Sequence, residues 1–252
     1  MIFCFDTRPL PMHAPFVMRH DAQGLATLTL NRPDKLNALS PDSFVALRAH
    51  LDAIAADDTI GCVLLQGAGR SFCAGHDLST ISADMDEAFA AETIDALARL
   101  PQPTIARIHG HCFTGGLELA LGCDILMATE SAKLGDTHGQ WGLVPVWGMS
   151  VRLPQRVGRA KAKELMFTSR RISGRQALDI GLVDHCLPES ELDAAISALV
   201  AEILANSAGT NRIVKALVAA ADERTHEAAL KFERELPYGL PADMAQRMGR
   251  AV

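Results

Sequence analysis

The sequence predicts an α/β protein: a layered core of repeated strand, glycine-rich loop and helix, followed by a helical C-terminal part. Two observations carry this. An apolar strand pattern, a glycine-rich loop and a helical pattern follow one another twice, about forty residues apart, first from Ile60 and again from Thr104. Such repetition suits a layered α/β unit rather than a bundle or a sandwich. From Glu189 onward strand signals become few and Ala, Leu and charged residues dominate, which puts a boundary near residue 190. The 252 residues, 48% of them apolar, suffice for one large domain or two small ones.

Residues 1–15 are proline-interrupted and read as an irregular arm; they lack the basic start, apolar stretch and cleavage site of a signal peptide. Residues 16–30 read as a hairpin turning at Asp21-Ala22-Gln23-Gly24. Ser40-Pro41 starts a helix, with Ser40 as N-cap and Pro41 in the first turn. Apolar Phe44, Leu47, Leu51 and Ile54 keep helical spacing to about Ala56. Ile60 to Leu65 is a buried-type strand. The loop GAGRSFCAGHDL, residues 67–78, is neither a P-loop nor a dinucleotide fingerprint. A helix over 84–100 stops at Pro101-Gln102-Pro103, and strands follow at Thr104–His109 and Ile125–Ala128. Residues 131–158 read as loop. Helices are expected at Ala160–Phe167 and at Ser173–Gly181, where glycine closes the second, with a strand at Val183–Leu187.

The net charge of −6 and the lack of clustered Lys and Arg give no nucleic-acid footprint. No apolar run reaches membrane-spanning length. Six scattered cysteines without a CxxC pair suit reduced thiols and a cytoplasmic location. Nine histidines include no HExxH pair, and no metal is expected. His109 and His111, at strand spacing, are best read as ordinary strand-end histidines.

The stretch HGHCFTGGLELALGCD, residues 109–124, concentrates the chemistry. Adjacent glycines allow backbone angles that other residues resist, so a ligand can approach the main chain. The apolar helix that follows carries one carboxylate, Glu118. Such a group is costly unless it is paired, protonated or used. An anion-stabilising backbone site with an acid/base group one turn inside fits this pattern; a core helix with a salt-bridged glutamate fits it as well.

Five segments together resemble the crotonase, or enoyl-CoA hydratase/isomerase, superfamily: NRPDKLNAL, SFCAGHDL, GGLELALGCD, WGLVPVWGMSVRLPQRVG and ALDIGLVD, in the family's order over roughly residues 16–235. The resemblance implies a spiral of ββα turns over residues 16–190 and a C-terminal helical trimerisation or lid region over 191–252. It implies homotrimers or dimers of trimers and acyl-CoA substrates, with coenzyme A entering as part of the substrate and no other cofactor. By family position the backbone N–H groups of His76 and Gly115 hold the thioester oxygen as an enolate forms, and Glu118 is the first catalytic carboxylate. The second falls on His138, a departure from the usual glutamate. An imidazole can also donate and accept protons, so hydration by Glu118 with His138, isomerisation by Glu118 alone, and thioester hydrolysis all stay open, as does binding without turnover. CoA is expected near Lys35, Leu36 and Ala38 and near Ala74, Asp77 and Leu78. Phe113, Trp141 and Trp147 are expected acyl-pocket residues, with core packing the alternative for each. The tail after Glu235 departs from the family ending, so no CoA contact is carried onto it.

Overall fold

The computed structural model describes residues 15–77 and 86–249. Leu78 and nearly all of the N-terminal arm therefore lie outside the described residues. The chain opens with the expected hairpin, β1 (Val17–Ala22) and β2 (Leu25–Leu30), paired antiparallel. Its turn contracts to Gln23-Gly24, with φ of 51° and 86°. Two positive φ values match the twist of the flanking strands. Helix α1 (Pro41–Ala55) starts at Ser40, whose side chain and that of Ser43 form a reciprocal cap. Its Phe44, Leu47, Leu51 and Ile54 are fully buried, each worth about 1.5–3 kcal/mol relative to exposure.

After β3 (Cys62–Gly67) and α2 (Glu87–Ala98), the chain alternates between two sheets. Strand β4 (Thr104–Ile108) joins the large sheet and β5 (His111–Phe113) the small one. Helix α3 (Gly115–Ala120) follows. Then β6 (Ile125–Thr129) joins the large sheet and β7 (Lys133–Gly135) the small one. Helices α4 (His138–Trp141) and α5 (Met149–Thr168), strand β8 (Ile172–Ser173), helix α6 (Gly174–Asp179) and strand β9 (His185–Leu187) complete this part. The large sheet runs β1-β2-β3-β4-β6-β9, parallel after the first pair, and the small one β5-β7-β8.

The central strands β3, β4 and β6 are buried on both faces, which explains their largely apolar runs. Val63 and Leu65 enter the main core under α1, α2 and α3, while Cys62 and Leu64 point the other way. That second face is covered by Leu192, Ile196 and Val200 of α7 (Glu189–Ala205). Helices α8 (Ala208–Ala221), α9 (His226–Arg234) and α10 (Met244–Met248) follow.

One boundary differs clearly from the sequence expectation. Helix α5 starts at Met149, inside the stretch read as loop, and contains Pro154. Gly158, at φ 77° and ψ 157°, breaks it into two segments. Proline and glycine signal a stop locally; here they sit inside and at the end of a first short helical piece that tertiary packing retains.

Candidate active site

Two loops meet above the small sheet. The first, Ala74 to Asp77, is stitched to the segment after Pro33. Ala74 N–H donates to Leu36 O at 2.9 Å, Leu39 N–H to Gly75 O at 2.8 Å and Asp77 N–H to Leu39 O at 2.9 Å. Arg32 pairs with Asp77 at 2.8 Å. Leu36 and Asn37 adopt left-handed φ of 51° and 56°. The Asn37 side chain offsets that strain by donating to Ala68 O and Ser71 O and accepting from Arg32 N–H. The structure thus brings together the segments expected to hold CoA, with Lys35 exposed, Ala38 O taken by Arg32 and the Ala74 N–H taken by Leu36.

The second loop is Phe113 to Gly115. Thr114 has φ 49° and ψ −114°, an unusual conformation for a β-branched residue. Its hydroxyl meets the Thr137 hydroxyl at 2.5 Å, and Thr137 N–H also points to it. This turn presents the Gly115 N–H beside the first loop: a Cβ placed on Gly115 would lie 3.3 Å from His76 N and 2.4 Å from the Trp147 ring. Neither the His76 nor the Gly115 N–H has an acceptor among the described residues. Two adjacent free donors are what a developing oxyanion requires.

Glu118 lies one turn into α3 and is 1% exposed. Its Oε1 accepts from the N–H groups of Trp147 and Met149, each at 3.0 Å. Its Oε2 faces His138 Nε2 at 3.8 Å. Behind the ring, Asp136 Oδ1 meets His138 Nδ1 at 2.5 Å. A carboxylate on Nδ1 fixes the ring and leaves Nε2 to work on the pocket side. Burial pushes the Glu118 carboxyl above the ordinary glutamate range, against the opposing pull of the Met149 N–H, His138 and the Trp147 N–H. Burial alone would depress His138, but the hydrogen bond and charge of Asp136, aided by Glu118, outweigh it and raise the imidazole above its usual value.

Gly115, Glu118 and His138 line a cavity of about 70 Å³ together with His76, Glu87 and Trp147, whereas Asp136 lies behind the His138 ring and does not line it. A larger cavity of about 970 Å³ opens between α5, α7 and α8 and contains none of the acid/base groups.

The structure separates the three aromatic residues expected around an acyl chain. Trp147 is buried and forms a pocket wall, against Phe44 and His76. The Phe113 side chain instead packs under the Arg171 guanidinium, 4.9 Å from its ring centre, and beside His111. Strand alternation turns it away from the pocket. Trp141 is 58% exposed on α4 and does not line the cavity. His109 and His111 belong to different connections: His109 Nε2 pairs with Gly69 O and His111 Nδ1 with Ser71 Oγ.

For three site features the sequence does not show the contact that matters. Asp136 is visible as a carboxylate near His138, but its direction is not. Glu87 reads as an ordinary first-turn acid of α2, yet its Oε2 accepts the Trp147 Nε1–H at 2.7 Å. The N–H groups that hold Glu118 come from the segment WGLVPVWGMSVRLPQRVG, which resembles the family but does not itself show which of its N–H groups turn toward the carboxylate.

Comparison with known proteins identifies the family and agrees with the fold. The enoyl-CoA hydratase/isomerase family model matches residues 20–252. A 1,2-epoxyphenylacetyl-CoA isomerase of Escherichia coli (strain K12) is 33% identical over 230 residues, covering 87% of this chain and 88% of its own. An enoyl-CoA hydratase structure from Bacillus anthracis superposes with a TM-score of 0.85 at 31% identity, over 89% of this chain and 90% of that one. A Thermobifida fusca structure in complex with acetoacetyl-CoA gives a TM-score of 0.82 at 28% identity, over 88% and 92%.

Proposed function

Since the chain belongs to the enoyl-CoA hydratase/isomerase (crotonase) family, we propose that it hydrates short 2-enoyl-CoA thioesters, with Glu118 and His138 as the acid/base pair. The observation that carries this reading is the buried line of Asp136, His138 and Glu118, in which Nε2 faces Oε2 across 3.8 Å. A bound acyl-CoA in the Thermobifida fusca relative supports the substrate class.

In this reading the thioester oxygen accepts the His76 and Gly115 N–H groups. A water oxygen attacks C3 while its proton passes to Glu118 Oε2. The C2=C3 electrons move onto the thioester oxygen as an enolate, whose charge the two N–H groups offset. Each such donor is worth about 3 kcal/mol in the transition state. The His138 imidazolium then gives its Nε2 proton to C2 and the enolate collapses to the thioester. The proton on Glu118 returns to His138, so water has been added as OH at C3 and H at C2 and both groups are restored. Asp136, by raising the imidazole pKa, favours the imidazolium relative to a free histidine.

A second reading is double-bond isomerisation by Glu118 alone, which the hydratase/isomerase description of the matching family admits. The test follows loss of conjugated enoyl-thioester absorbance with crotonyl-CoA for wild type, Glu118→Gln and His138→Gln. Hydration by the pair predicts wild-type turnover and a fall of about 10²–10⁴ in kcat for each variant. If only Glu118→Gln fails, a single base operates. If wild type leaves crotonyl-CoA intact but conjugates a 3-enoyl-CoA, isomerisation replaces hydration.

A further inference from the structure

The two N–H groups that hold Glu118 lie on either side of Gly148, in a turn that another side chain grips. Gly148 adopts φ 111° and ψ 6°, and the Trp147 and Met149 N–H groups converge on Glu118 Oε1. Arg152, the fourth residue of α5, bends back over this turn and donates from Nη1 to Trp147 O at 2.9 Å. A Cβ on Gly148 would lie 2.1 Å from that nitrogen, so the guanidinium fills the space a side chain would take. Its Nη2 pairs with Asp95 of α2. The same helix receives the Trp147 indole N–H on Glu87 Oε2 at 2.7 Å. Helix α2 therefore holds Trp147 twice, at the ring and, through Arg152, at the carbonyl. A cation in the opening turn of a helix opposes the helix dipole, and no acidic residue in that turn of α5 offsets it. The Arg152 side chain, 18% exposed, owes its place to these two partners rather than to the helix that carries it.

We propose that Arg152 is a positioning residue for Glu118: anchored by Asp95, it fixes the Trp147–Gly148 peptide so that the N–H groups on either side stay on the carboxylate. This deepens the hydration reading, and its kinetic part rests on it. The planar fork is what the place requires. A guanidinium donates to a carbonyl and a carboxylate at once in a fixed plane, whereas an ammonium is a point donor on a flexible stem. The action runs through the peptide. Burial raises the Glu118 carboxyl, and the Met149 N–H, His138 and the Trp147 N–H oppose it; the Arg152 charge is not among these influences. The other titratable groups facing Glu118 are Asp136 behind the His138 ring and His76 and Glu87 across the cavity. Arg152 itself meets Asp95, which Arg99 also approaches at 3.7 Å. A carboxylate that loses backbone donors is less stable in its ionised form. Releasing the peptide therefore pushes Glu118 further up. It also lets the carboxylate drift from the reacting atoms, where a misplacement of about 1 Å costs about a hundredfold in rate.

The experiment titrates Glu118 directly. Isotope-labelled glutamate carboxyl carbons are followed with pH by NMR, and the Glu118 resonance is the one missing from Glu118→Gln. Arg152→Met keeps much of the stem and removes the fork. Arg152→Lys keeps the charge, and Asp95→Asn keeps an acceptor without the charge that anchors the guanidinium. Urea unfolding of each variant reports its fold. Glu118 is expected to titrate at higher pH in Arg152→Met than in wild type, with Arg152→Lys and Asp95→Asn between the two. With crotonyl-CoA, the acid limb of kcat/KM is expected to move up in the same order. The kcat of Arg152→Met is expected to fall about ten- to hundredfold with KM little changed. A Glu118 titration that stays in place in Arg152→Met and Asp95→Asn, with only unfolding affected, overturns the proposal and leaves hydration by wild type to stand. Should Arg152→Met not fold, Asp95→Asn decides by the same criterion. If wild type leaves crotonyl-CoA intact, the hydration reading falls while the carboxyl titration still decides the role of Arg152.

Discussion

Glu118 and Asp136 are each 1% exposed, and His138 lies between them. Two carboxylates so deeply buried are tolerable because each has partners: Glu118 has two backbone N–H groups and Asp136 has the ring and backbone N–H of His138. The arrangement sets the pH response. In the proposed hydration Glu118 must be ionised to take a proton, and its raised pKa would move the acid limb of kcat/KM up from the ordinary glutamate position. His138 must be protonated to give one, and its raised pKa moves the alkaline limb above the usual histidine position. The pair titrates together, so the two limbs belong to the pair. Asp136→Asn removes the attraction that overrides desolvation of the ring. The His138 pKa then falls and the alkaline limb shifts to lower pH, narrowing the bell. A pH–rate profile of the variant checks this; an unmoved alkaline limb would assign that limb to another group.

At the scale of elements, α3 is only six residues long and begins with a residue under strain, so its placement is owed to contacts rather than to helix propensity. The two glycines at its start do different work. A methyl on Gly115 would press on the Trp147 ring at 2.4 Å, while one on Gly116 would press on the Cys73 backbone, with its carbonyl oxygen at 2.4 Å. A ring can be displaced at the expense of the pocket; a paired backbone cannot move cheaply. If Gly115 is the proposed oxyanion donor, Gly115→Ala is expected to lower kcat by at least tenfold, with a small change in unfolding free energy. Gly116→Ala is expected to lose about 1–3 kcal/mol of stability. Urea unfolding and crotonyl-CoA turnover measured side by side separate the two; similar effects on both quantities would refute the distinction. The same paragraph of chain shows what was readable. The glycine pair, the carboxylate and the strand before them are local features and were legible. The Thr114 hydroxyl bond to Thr137, which supports the turn, joins residues 23 apart and was not.

Across the whole molecule, the C-terminal helices are tied back to the core. Lys215 of α8 bonds Asp124 Oδ2 at 2.7 Å and Gln102 O at 3.1 Å, and Arg212 pairs with Asp58. Lys215→Met keeps much of the side-chain bulk and removes the charge. Asp124 keeps its bonds to the Thr104 N–H and hydroxyl. With Asp124 34% exposed, solvent discounts the pair, and a loss of about 1 kcal/mol is expected by urea unfolding. A variant as stable as wild type would show that α8 docks without this tie. The crotonase fold, the hairpin, the capped α1, both glycine-rich loops and Glu118 were determined by the sequence alone. Turn dihedrals, caps and apolar periodicity are encoded within a few neighbouring residues, and the order of five motifs identified the family. Tertiary structure decided the rest. It set which N–H groups hold Glu118, 29 and 31 residues away, and which carboxylate backs His138. It joined Glu87 to Trp147 across 60 residues and removed Phe113 and Trp141 from the pocket. Such contacts depend on how distant segments pack against a common core, and no local preference records that outcome.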